Sequence, residues 1–259
     1  NDENLLYGFD FNYRNSDFKG TGQIVAGSVY IMQTDSTGLS GDDYSFGANL
    51  EYPNDKWNIG IKFEQIGENF RPAMGFVSET GTRQYLSWLR RTWHPEKLDD
   101  FYFDGFGRIR TRMDGSVLDR EIWIPQIGFE TLKQDEAFVV PIFYQEQLFE
   151  PFEIIDGVFI PAGNYHFNRF RAEVVFSDAR KLGGSIEVEF GDFFNGERTE
   201  IVANVGWRPS PHFNINAQYE TNIISLPQGD FTIRVVQIDF NIQFSPNLVW
   251  NITNQWDND

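Results

Sequence analysis

Residues 200–208 read EIVANVGWR, 213–220 FNINAQYE, 235–242 VVQIDFNI and 248–255 LVWNITNQ. In the first, Ile201, Ala203, Val205 and Trp207 share one parity, and Glu200, Asn204, Gly206 and Arg208 take the other. Phe213, Ile215, Ala217 and Tyr219 alternate in the same way with Asn214, Asn216, Gln218 and Glu220, and Val236, Ile238, Phe240 and Ile242 with Val235, Gln237, Asp239 and Asn241. Leu248, Trp250 and Ile252 are set against Asn251, Thr253 and Gln255. Successive side chains on a strand point to opposite faces, so this pattern predicts a sheet with one apolar and one polar face.

The same period runs back through the chain. Tyr7, Phe9, Phe11 and Tyr13 alternate with Gly8, Asp10, Asn12 and Arg14, and a less regular stretch covers 24–32. Tyr44, Phe46, Ala48, Leu50 and Tyr52 then alternate with Ser45, Gly47, Asn49 and Glu51, and Trp57, Ile59, Ile61 and Phe63 with Asn58, Gly60, Lys62 and Glu64. Strands are also read over 82–93, 101–113, 121–131, 137–144, 169–176 and 185–190, with Pro125 and Pro141 weakening two of them. The total is about fourteen strands of about ten residues, with no helix. That length exceeds the about five or six residues usual in globular sheets and approaches a tilted strand that crosses a bilayer.

The connections are read as alternating in length. Those at 15–20, 53–56, 94–100, 133–136, 179–184, 209–211 and 245–247 are short. Those at 35–43, 67–81, 145–163, 191–197 and 221–230 run to seven residues or more, with 114–117 a short exception. Such alternation predicts an all-β, antiparallel up-and-down transmembrane β-barrel with short periplasmic turns and longer outer loops. In that orientation both chain ends lie outside. Residues 1–259 are therefore expected to be a single β-barrel domain, an internal segment of a longer barrel lacking an odd number of strands at each end.

Alternation alone fits a soluble sandwich or barrel equally well, with the apolar parity turned to a core. The aromatic residues separate the two. Tyr13, Tyr52, Trp57, Trp207, Phe213 and Trp250 lie on the apolar parity beside tight turns, while the strand middles hold Ala, Val, Ile, Leu and Phe. This placement predicts an aromatic girdle at a membrane interface. The polar parity is rich in Gly, Asn, Gln and Ser mixed with charges, as a wet or hydrogen-bonded interior requires.

Composition bounds the rest. The chain is 17% aromatic, with 26 Phe and 7 Trp, yet its mean hydropathy is −0.42. A formal charge of −17 argues against nucleic acid as a partner, since phosphate binding needs clustered Lys and Arg. There is no Cys, hence no disulfide or thiolate metal site. No cofactor or metal is expected, because the acidic stretches 41–44 and 99–104 lack a full calcium-ligand pattern.

Five segments carry a resemblance: FRPAMGFV at 70–77, FEPFEIIDGVFIPAGNY at 149–165, GDFFNGER at 191–198, WRPSP at 207–211 and LPQGDF at 226–231. Taken in order they resemble an uncharacterised family of bacterial outer-membrane proteins, in which a C-terminal barrel of unknown function follows a carbohydrate-binding module similar to family nine. The resemblance implies an exported barrel in the outer membrane and no established activity. It implies outer-membrane lipid as the first partner, with carbohydrate and other outer-membrane or periplasmic proteins as further ones.

Arg108, Arg110 and Arg112, with Arg169 and Arg171, are expected to project into the lumen, joined by Glu51, Glu64, Glu187 and Glu189. Either they form opposed basic and acidic walls that orient a polar solute, or they form ion pairs that fill the lumen. Catalysis is not expected: His94, His166 and His212 are far apart, and Glu187 with Glu189 on one strand reads as a polar face before it reads as a glycosidase pair. The sequence therefore predicts a pore for polar solutes, oligosaccharides among them, or a membrane anchor for an attached binding module. The alternative is a soluble all-β domain that binds or processes glycans.

Overall fold

The computed structural model describes residues 4–73, 75–77 and 79–258; the polar start at 1–3, Met74 of the segment 70–77 and the terminal Asp259 lie outside the described residues. The first eight strands are β1 (Asn4–Phe18), β2 (Gln23–Ser36), β3 (Tyr44–Pro53), β4 (Trp57–Ile66), β5 (Thr82–Trp93), β6 (Leu98–Arg112), β7 (Val117–Thr131) and β8 (Glu136–Leu148). A short hairpin follows, β9 (Phe152–Ile155) and β10 (Val158–Ile160). The last six are β11 (Gly163–Phe176), β12 (Leu182–Phe193), β13 (Gly196–Ser210), β14 (Phe213–Leu226), β15 (Gly229–Ser245) and β16 (Leu248–Asp257).

Fourteen of these form one up-and-down antiparallel sheet, in which each strand pairs with its neighbours in the chain and β8 pairs with β11 across the hairpin. All fourteen strands read from the alternation are present, and β1 and β16 are the two edges. By contacts the chain divides into two compact units. One comprises Asn1–Thr92, Asp104–Trp123 and Gln145–Gln147; the other comprises Trp93–Phe103, Ile124–Tyr144 and Leu148–Asp259. The strand order of the sheet is continuous through both units.

Loop lengths need correction. The expected long connections at 191–197 and 221–230 are two-residue turns, because β12 runs to Phe193 and pairs it with Gly196, and β14 pairs Leu226 with Gly229. At the end opposite the tight turns, only 37–43, 67–81 and 149–162 are long, and 149–162 holds the β9–β10 hairpin that alternation does not reveal.

The register keeps the two parities apart. In the first unit Phe9 faces Ile31 and Leu50 faces Ile61, while Glu51 faces Gly60 and Gly47 faces Glu64. The apolar parity is uncovered: Phe9 is 66% exposed and Ile61 57%, and in the second unit Ile186 is 52% exposed. Among the described residues of each unit, no second sheet covers it, as a sandwich would require.

On the polar parity, glycines make room for aromatic rings. Gly60 is paired with Trp88 in register, and a Cβ on Gly60 would fall inside the Trp88 ring. Tyr30 lies over Gly47 in the same way, and in the second unit Tyr102 lies over Gly128. Gly60→Ala must displace an indole that also donates its Nε1–H to Asn58 Oδ1 at 3.1 Å. The expected cost is about 1–3 kcal/mol, the range for overpacking. Urea unfolding in micelles checks it, with Gly107→Ala as the comparison; a Cβ there meets only Ser87 Oγ at 3.1 Å. Equal midpoints for the two variants would contradict the packing account.

Candidate functional site

Each unit carries a cluster of charges on the polar parity. In the first, Arg90 of β5 and Asp104 of β6 form a two-pronged pair, Nε to Oδ1 at 2.7 Å and Nη2 to Oδ2 at 2.6 Å. Further along β6, Arg108 meets Glu121 of β7 at 2.9 Å. Arg110 donates its Nε–H to Asp119 Oδ2 at 2.6 Å and reaches Glu79 of the 67–81 connection at 2.7 Å. Asp119 is 2% exposed, and the arginines are the partners of its buried carboxylate. Alternate positions on β6 and β7 bring these groups to one face.

In the second unit the centre is Glu189, 3% exposed. Its Oε1 accepts from Arg169 at 3.1 Å and Arg198 at 3.0 Å, and its Oε2 accepts from Arg171 Nε at 2.9 Å and Nη2 at 2.6 Å. Arg198 also donates to Glu200 at 2.8 Å, and Arg171 lies 3.8 Å from Glu187. Phe193 anchors the cluster from above, with Arg169 and Arg198 each 5.3 Å from its ring centre. Such stacking holds the planar guanidinium groups in place while their edges reach carboxylate.

Acid and base therefore alternate on adjacent strands of each unit. The expected ion pairs are present in place of opposed walls. Arg108, Arg110, Arg169, Arg171, Glu187 and Glu189 all belong to clusters, but Glu51 and Glu64 do not join the arginines. Glu51 accepts from Asn49 at 2.7 Å and Glu64 pairs with Lys62 at 2.9 Å. Arg112 ends β6, where its backbone N–H closes the turn on Ser116 O at 2.9 Å. Asp104, Asp119, Glu121, Arg198 and Glu200 were not singled out from the sequence; the signal available was a charged residue on the polar parity of an adjacent strand.

Among the aromatic residues expected to form a girdle, Tyr13, Trp57, Trp207 and Trp250 are exposed, and Tyr52 and Phe213 are half-buried. Trp57 lies under Arg91, 5.0 Å from its ring centre, and Trp207 meets Phe213 edge-on at 6.1 Å. The exposed Trp93, packed on Phe101 at 5.8 Å, extends the set in the second unit.

The β9–β10 hairpin covers part of the polar face. Ile224 and Leu226 continue the parity of Glu220 and Asn222, and Phe231 opposes Ile224 from β15. Ile160, 0% exposed, packs with Ile224 and Leu226, and Ile154, Val158, Tyr165, Phe193, Phe194 and Phe231 complete the cluster. Segments 149–165, 191–198 and 226–231 thus meet in one apolar contact, directly beside the Glu189 charges through Phe193.

Scanned against family models, the chain gives no match, and comparisons with curated proteins and with solved structures find none either. The resemblance stands on the five segments quoted from the sequence.

A latch joins two tight turns of the second unit. Asp135 accepts from Arg180 and from the Ser177 backbone N–H, the latter at 3.0 Å. The hydrogen bond from Arg180, then that from Ser177, hold the Asp135 carboxyl below its ordinary value. Because the folded value lies below the unfolded one, the latch contributes fully above about pH 4 and is lost as pH falls through the lowered value. Asp135→Asn is expected to remove that acid-dependent loss. Unfolding midpoints followed from neutral to acid pH measure it; an unchanged slope would exclude the latch.

Proposed function

We propose that the chain forms part of an outer-membrane β-barrel wall whose polar parity lines a passage for polar solutes, oligosaccharides among them. One observation carries this reading: on strands of ten to seventeen residues, the apolar parity is exposed while charged groups such as Glu189 and Asp119 are buried on the polar parity. In water that arrangement leaves a large apolar surface uncovered; in a bilayer it faces hydrocarbon and the polar groups face each other or a lumen. The girdle aromatics at the tight-turn ends fit the interface.

A second reading is favoured by the hairpin and the filled ion-pair clusters: a closed barrel that anchors an attached binding module. Conductance of the full protein in a planar bilayer separates the two, with steps for the pore and silence for the anchor. Detergent dependence tests what they share. A monodisperse, folded protein without detergent or lipid would overturn both in favour of a soluble glycan-binding or glycan-processing domain.

A further inference from the structure

Five of the six lysines lie in tight connections at one end of the meander: Lys19 and Lys56 in the first unit, and Lys97, Lys133 and Lys181 in the second. The up-and-down order places β1–β2 and β3–β4 at the tight-turn end of the first unit, and β5–β6, β7–β8 and β11–β12 at the tight-turn end of the second. All five lysines are exposed, and none makes an ion pair among the described residues. The connections at this end carry six basic and four acidic residues, whereas those at the other end carry eight acidic residues against one basic residue, Arg71. In a chain of net charge −17, five of the six lysines therefore lie at the end whose connections are the less acidic.

A second observation points to the partner. Four of these lysines adjoin an exposed apolar side chain in sequence: Phe18 beside Lys19, Trp57 beside Lys56, Leu132 beside Lys133 and Leu182 beside Lys181. A membrane interface uses both members of such a pair, because the apolar side chain enters the acyl boundary while the ammonium reaches the headgroup. We propose that the tight-turn edge docks on anionic phospholipid headgroups, each lysine on a phosphate. The proposal rests on the membrane reading and adds to it the lipid that the protein selects.

The full chain, with wild-type and variant sequences, is mixed with vesicles of phosphatidylcholine alone or with added phosphatidylglycerol, and incorporation is read by flotation. Despite its negative charge, the wild type is expected to favour the phosphatidylglycerol vesicles on the order of tenfold at low ionic strength, with the advantage shrinking as salt is added. Lys56→Gln, Lys97→Gln, Lys133→Gln and Lys181→Gln combined are expected to abolish the preference, and the same positions changed to Arg to keep it. Equal incorporation of the wild type into both vesicles overturns the proposal and leaves the membrane reading intact. A Gln variant that loses phosphatidylcholine incorporation as well assigns the lysines a folding role and also overturns it. Failure to enter either vesicle removes the membrane reading and the proposal together.

Discussion

Glu189→Ala is expected to lower the unfolding free energy by about 3–5 kcal/mol, the cost of leaving buried charges without their partner. Three guanidinium groups share this one carboxylate, and none is fully solvated. Arg198 retains Glu200 and Arg171 retains the more distant Glu187, but Arg169 is left with no carboxylate among the described residues, holding the Asp192 carbonyl at 2.8 Å from its Nε and the rings of Phe167 and Phe193. Glu187→Gln supplies the contrast. Its carboxylate stands 3.8 Å from Arg171 and is partly exposed, so the loss is expected to stay within about 1 kcal/mol. Urea titrations of both variants in the same micelles decide the matter, and similar small shifts would show that the cluster is solvated and contributes little.

The second large effect is expected at Ile160. Its side chain is fully buried between the hairpin and the polar face, so Ile160→Asp removes about 1.5–3 kcal/mol of apolar burial and adds the cost of a buried carboxylate. The cheaper outcome is undocking. Since β9 and β10 lie outside the fourteen-stranded sheet, the sheet is expected to persist while 149–162 opens. Limited proteolysis of that connection should accelerate on the order of a hundredfold, with the far-ultraviolet spectrum of the sheet retained. Unchanged cleavage would mean that the hairpin is held by something other than this cluster. In a bilayer the same variant should raise conductance if the polar parity lines a passage.

The two misread loop lengths, at 191–197 and 221–230, trace to the same hairpin. At Phe193, Ile224, Leu226 and Phe231 the polar parity turns apolar, so alternation fails and the strands read as ending in long loops. They continue instead, because those side chains are covered by β9 and β10. The cover comes from residues remote in sequence, and a window along one strand contains no record of it. Ion pairs were harder to read for a related reason. Arg110 could be placed on the polar parity from its own neighbours, but its partners Asp119 and Glu79 depend on the register of β7 and on where a loop folds back.

What the sequence determined by itself was the set of fourteen strands and the membership of each face, because a period of two is a local property of extended backbone. Tertiary structure alone decided which charges neutralise one another, where the polar face is capped, and that of the two expected arrangements the charges form interleaved pairs and not opposed walls. Those depend on pairing between strands, and a shift of one residue in that pairing would reverse every face while leaving the sequence pattern unchanged.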